Sequence, residues 1–197
     1  MAVIDNYSFT NVNGVMTLVY HYDTAGQIIL PIINGKVETC TFQLMSYGNP
    51  TGNLVASIYA ITGVPGADAV PTGSALASSD AINCNTIPTY PTKADVVFTF
   101  SGTNQIILSE GVSYALVLNW DNVGGFTPDI YIGIHTNSGR SGNLVYRDQG
   151  VWKYNINQDM CFSLDGTYIK WMNEPKSTST WSNNEKSLQP WKDNDII

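Results

Sequence analysis

The chain has 197 residues, 43% hydrophobic and 13% charged, with a net charge of −7; that length supports one domain with a real core, and two would each be small. The charge is uneven: residues 1–166 hold five Lys/Arg against twelve Asp/Glu, residues 167–197 four against four. An acidic body without a basic stripe repels phosphate backbones, so nucleic acid is not an expected partner.

Few Lys, Glu and Arg but many Thr, Val, Ile, Tyr, Asn and Gly make a strand-and-turn composition with almost no helix expected. The opening "MAVIDNYSFT" lacks a basic segment followed by an apolar run, and no stretch reaches bilayer length, so neither export nor membrane insertion is expected. Without an export signal the sequon Asn6-Tyr7-Ser8 carries no weight. Short apolar runs follow at "MTLVYHY" and "QIILPII". "VETCTFQLM" alternates strictly, Cys40, Phe42 and Leu44 facing one way and Thr39, Thr41 and Gln43 the other, as a half-buried strand does.

Further strands are predicted at Leu54 to Thr62, Asp95 to Phe100, Val112 to Trp120, Asp129 to His135 and Met160 to Gly166, with shorter runs at "NLVYR" and "VWKYN". Turn signals separate them at Asn34-Gly35, Gly48 to Gly52, Pro71 to Gly73, Gly124-Gly125 and Gly139 to Gly142. Many short strands without an intervening helical period predict an all-β antiparallel sandwich, a jelly roll being the first choice of topology. Long irregular stretches at 63–71 and 83–93 are where such a fold carries binding residues.

Cys40, Cys84 and Cys161 are widely spaced and odd in number, which argues against a disulfide framework or a zinc site; they read as buried small hydrophobes. No catalytic motif is present, and His21 and His135 read as ordinary strand residues, so no catalytic residue, cofactor or metal is assigned. Asp121, Asn122 and Asp129 offer oxygen ligands for calcium but lack the dense alternation of a dedicated loop. Aromatic faces beside planar polar side chains suit sugars, which makes Trp120, Tyr131, Trp152 and Tyr154, with Asp121 and Asn122, a candidate glycan platform. The competing reading is that Trp120 and Trp152 are ordinary packing residues.

"YGNPTGNLVASIYAITG", "PTGSALASSD" and "IILSEGVSYALVLNW" together resemble the jelly-roll, carbohydrate-binding-module-like β-sandwich domains of bacteriophage virion proteins and bacterial surface proteins. The resemblance rests on the turn at Gly48 to Asn53, Ile58-Tyr59, the loop Pro71 to Ala77, the strand entry Leu108 to Tyr114, and Asp159 to Gly166. It covers roughly residues 27–166 and implies that the fold ends at Gly166, so a sandwich domain is expected over residues 1–166 and a surplus arm over 167–197.

In that arm the apolar alternation fails, and Trp171, Trp181 and Trp191 stand ten residues apart in a polar stretch punctuated by Pro175 and Pro190. Such a composition builds no core of its own, so its tryptophans need a partner surface. One reading has it supply edge strands to its own body; the preferred one has it clasp a neighbour, the tryptophans as anchors and the prolines stiffening the path. The expected function is a non-enzymatic virion structural protein, a phage capsid decoration or other capsid-associated component, contacting capsid subunits and further copies of itself. The alternative is a carbohydrate-binding module or adhesin on a virion or cell surface.

Overall fold

The computed structural model describes residues 1–19, 22–121, 129–137 and 140–170. Among these, fifteen strands and three single 3₁₀ turns make an all-β sandwich. In chain order the strands are β1 (Ala2–Tyr7), β2 (Gly14–Leu18), β3 (Thr24–Ile29), β4 (Gly35–Tyr47), β5 (Asn53–Thr62), β6 (Val70–Ser78), β7 (Ile82–Asn83) and β8 (Ala94–Thr99). They continue as β9 (Ile107–Leu108), β10 (Tyr114–Trp120), β11 (Asp129–Thr136), β12 (Leu144–Asp148), β13 (Val151–Asn155), β14 (Gln158–Met160) and β15 (Phe162–Tyr168). β15 thus ends two residues beyond the expected domain boundary, and residues 171–197 lie outside the described ones.

The first sheet is built on β4. One edge of this 13-residue strand pairs with β9 and then β8; the other pairs with β15 over Gly35–Phe42 and with β11 over Leu44–Tyr47. β1 lies outside β15 and β2 outside β11. β4 and β11 separate beyond Ile132, and β14 fills the fork before the chain crosses at Cys161, whose N–H donates to the Gly133 carbonyl, into β15. The second sheet has the order β13-β12-β3-β10-β5-β6, with β7 also on β5. Every strand pair is antiparallel, and the chain passes repeatedly from one sheet to the other, as in a jelly roll.

Alternation decides what lies between the sheets. Cys40, Phe42 and Leu44 of β4 are fully buried, whereas Thr39, Thr41 and Gln43 are partly exposed, as expected. They meet Leu116, Leu118, Ile130, Ile132, Phe162 and Leu164 in the main core, where Phe42 and Phe98 pack edge to face at 5.8 Å. A smaller core of Ile28, Ala69, Ala115, Val117 and Val145, flanked by Tyr59 and Trp152, occupies the outer face of the second sheet. There β13 and β6, at opposite ends of the strand order, come into contact, and Trp152 meets Tyr59 edge-on at 6.3 Å. The second sheet therefore curls over itself, and Asn143 holds the curl by donating to the Ala69 carbonyl and accepting from the Gly66 N–H.

The β4–β15 ladder shifts register between Asp165 and Gly166, a bulge that brings two backbones unusually close. A Cβ on Gly166 would overlap the Lys36 carbonyl oxygen, which is backbone and cannot rotate away. Gly166→Ala is therefore expected to lower unfolding stability by about 1–3 kcal/mol or more, the range of overpacked cores, read as a lower urea midpoint at unchanged slope.

Candidate functional site

The residues expected to form one aromatic platform are distributed over both sheets. Trp120 follows the packing reading and leaves the candidate platform: it is 3% exposed and belongs to the main core. Its register explains this, since Leu116, Leu118 and Trp120 share the inward face of β10 while Ala115 and Val117 face out. The indole N–H donates to the Thr51 carbonyl at 2.9 Å. Asp121 is likewise committed to the turn before β5, accepting from the backbone and side-chain N–H groups of Asn53. Gly52 sits there at φ +86°, with no room for a side chain against the Asp121 carbonyl. The Trp120 ring presents no face to a ligand, and the exposed Asp121 carboxylate is engaged by Asn53.

Trp152 is half-buried in the curl of the second sheet, and Tyr154, 48% exposed, stands beyond it on the same strand. Tyr131 lies on the outer face of the first sheet. Asn122, His21, Trp171, Trp181, Trp191, Pro175 and Pro190 lie outside the described residues.

Around Tyr131 the fold gathers two tyrosines that sequence reasoning did not connect with it. β11 pairs Tyr131 with Met45 and Asp129 with Tyr47, so the Tyr47 and Tyr131 rings stand 6.5 Å apart at the end of β4. Tyr90 comes from the long irregular stretch after β7 and is delivered by Ser46. The backbone of Ser46 donates to the Pro88 carbonyl and accepts from the Tyr90 N–H, both at 2.8 Å, and its buried hydroxyl donates to the Ile87 carbonyl at 3.1 Å. The Tyr90 ring then meets Tyr47 nearly edge-on, 77° between planes at 6.5 Å.

The three rings border an open cleft of about 330 Å³ floored by Met45 and flanked by Val15. Tyr47 and Tyr90 are 53% and 58% exposed, whereas Met45 beneath them is buried. The Tyr131 hydroxyl donates to the Asp129 carboxylate at 3.4 Å. Partial desolvation, and then the Asp129 charge, raise the Tyr131 phenol above its ordinary value. A larger cavity of about 500 Å³ opens between the sheets at Met16, Val19, Tyr22, Leu144 and Tyr146. Its lining consists mostly of the inward side chains of the sandwich, so the tyrosine cleft is the better candidate.

One polar cluster combines residue types used in catalysis. The Arg140 guanidinium bonds the Asp5 carboxylate at 2.6 Å and lies over the Phe162 and Tyr7 rings at 5.0 and 5.7 Å. The Tyr7 hydroxyl bonds Nδ1 of His135, and buried Asp159 accepts from the side-chain amide of buried Gln27. Cys161 lies in this neighbourhood, where burial, and then the Asp159 charge, push its thiol up to about 11 against a smaller opposing pull from Arg140. An activated nucleophilic cysteine has the reverse shift. The Asp5 carboxylate also accepts from the Leu30 N–H, so the cluster ties β1 to the end of β3 and to the approach to β12. Among the described residues no three His, Cys, Asp or Glu side chains gather as a metal-ligand set.

Comparison with protein-family models, with curated proteins and with solved structures returns no match.

All three cysteines are free and buried, as the sequence suggested. Burial also pushes Cys84 up to about 11, with help from Asp121, and raises Cys40 well above the ordinary thiol range. Because the folded values lie above the unfolded ones, this stability is complete below the unfolded thiol pKa and is lost as pH rises towards about 11. Two outcomes are expected: Ellman's reagent leaves the native thiols unreacted until denaturant is added, and the melting temperature falls more gently at alkaline pH in Cys84→Ala/Cys161→Ala than in the parent.

Proposed function

We propose that the protein is a non-enzymatic structural component of a virion, a phage capsid decoration or other capsid-associated protein. In this role the sandwich is displayed and the C-terminal segment that follows β15 engages neighbouring subunits. One observation carries the reading: among the described residues the buried hydrophobic side chains run from Ile4 to Leu164 and form two cores, while the sequence beyond them sets three tryptophans in a polar stretch without apolar alternation. Large aromatics isolated in a polar segment are the kind of side chain that anchors interfaces.

The resemblance to phage and surface sandwich domains supports the same reading. Capsid subunits and further copies of this chain are the partners that fit, each tryptophan filling a separate pocket and Pro175 and Pro190 limiting the conformations lost on docking.

The full chain is expected to sediment as an oligomer, and the triple variant Trp171→Ala/Trp181→Ala/Trp191→Ala as a monomer with an unchanged melting temperature. Loss of three buried anchors at roughly 2 kcal/mol or more each weakens association by several orders of magnitude. A parent chain that is monomeric across the accessible concentration range, or a triple variant with a collapsed melting transition, would count against the assembly role.

A further inference from the structure

We propose that the cleft formed by Tyr47, Tyr90 and Tyr131 is a binding site for a neutral saccharide. Sugar rings carry flat patches of C–H bonds that pack against phenol faces, and equatorial hydroxyls that bond to planar polar groups at the rim. Both elements are present. Tyr47 and Tyr90 are more than half exposed although they pack on one another, because their edge-to-face arrangement at 77° leaves ring faces free. Met45 closes the floor, and Asp129 stands within hydrogen-bonding reach of the Tyr131 hydroxyl, so carboxylate and phenol together offer acceptors and a donor at one edge. Gln43 and Asp95, themselves hydrogen bonded at 3.4 Å, continue the polar rim along the same face of β4.

The site is built by the fold. Ser46 holds the segment 87–90 through hydrogen bonds to Ile87, Pro88 and Tyr90, and the β4–β11 register fixes Tyr47 against Tyr131, so little ordering remains when a ligand arrives. A volume of about 330 Å³ falls at the lower end of small-ligand sites, enough for one or two sugar rings and too little for a peptide segment. Charge selects among sugars. The flanking carboxylates Asp129 and Asp95 and the excess of Asp and Glu over Lys and Arg in residues 1–166 repel sialic and uronic acids, while neutral hydroxyls donate to those same carboxylates.

This binding role is independent of the assembly role, since it uses no residue beyond Tyr131. The test titrates the full chain with cellohexaose, maltohexaose and N-acetylchitohexaose, and with sialyllactose as the anionic control, following tyrosine ring signals by NMR and heat by calorimetry. At least one neutral oligosaccharide is expected to shift the ring signals saturably. Tyr47→Ala and Tyr90→Ala, which remove exposed rings, are expected to weaken it about tenfold each, the size of one lost aromatic stack. Tyr131→Phe keeps the ring, removes the hydroxyl and has a smaller effect. The proposal is overturned if none of the three neutral probes shifts these rings up to about 10 mM, a concentration that detects even millimolar dissociation constants. Equal binding of sialyllactose, or undiminished binding in Tyr47→Ala/Tyr90→Ala, overturns it as well.

Discussion

Strand β4 has to be satisfied on three sides at once, and the rest of the molecule follows from that requirement. Its inward side chains Cys40, Phe42 and Leu44 need a facing sheet, and both of its edges carry backbone groups that burial would leave unpaired. Unmade hydrogen bonds of this kind are too costly to leave in a core. The second sheet meets the first need; β8 and β9 on one edge, with β15 and β11 end to end on the other, meet the second. The strand also shapes the tyrosine cleft, because the alternation that turns Phe42 inward turns Met45 and Tyr47 outward beside Tyr131.

The second sheet solves a different problem. Its outer face carries Ile28, Ala115, Val117 and Val145, too much apolar surface to leave in water, and it covers them by curling until β13 touches β6. Trp152 is consumed in that closure and Trp120 in the main core, so the large aromatics of the body are mostly structural. The tyrosines gather at the end of β4, on the outer face of the first sheet, where Tyr47 and Tyr90 are exposed.

Much of this was legible in the sequence. Period-two alternation located β4, β5, β8, β10, β11 and β15, because each buries one face against the other sheet. Strands β1, β6, β7, β9 and β14 escaped notice: four are short or unevenly buried, and most of β6 is exposed between its ends, so none carries a clean period. The placement of Trp120 was recoverable, since it shares parity with Leu116 and Leu118 on a strand whose other face reads Ala, Val, Asn. The tyrosine cleft was not. Tyr47, Tyr90 and Tyr131 lie on three segments far apart in the chain, and what joins them is Ser46 gripping a loop and the register of β4 on β11, neither of which leaves a periodic trace.

Native-state hydrogen exchange on β4 tests the central claim most directly. If both edges of this strand are locked as described, the amides of Thr39 to Leu44, flanked by β15 or β11 on one side and by β8 on the other, exchange only through global unfolding. They are then the slowest in the protein and respond to denaturant with the full unfolding slope, while amides of the edge strands β1 and β13 exchange earlier through local opening. Exchange of the β4 amides at edge-strand rates, independent of denaturant, would contradict the account.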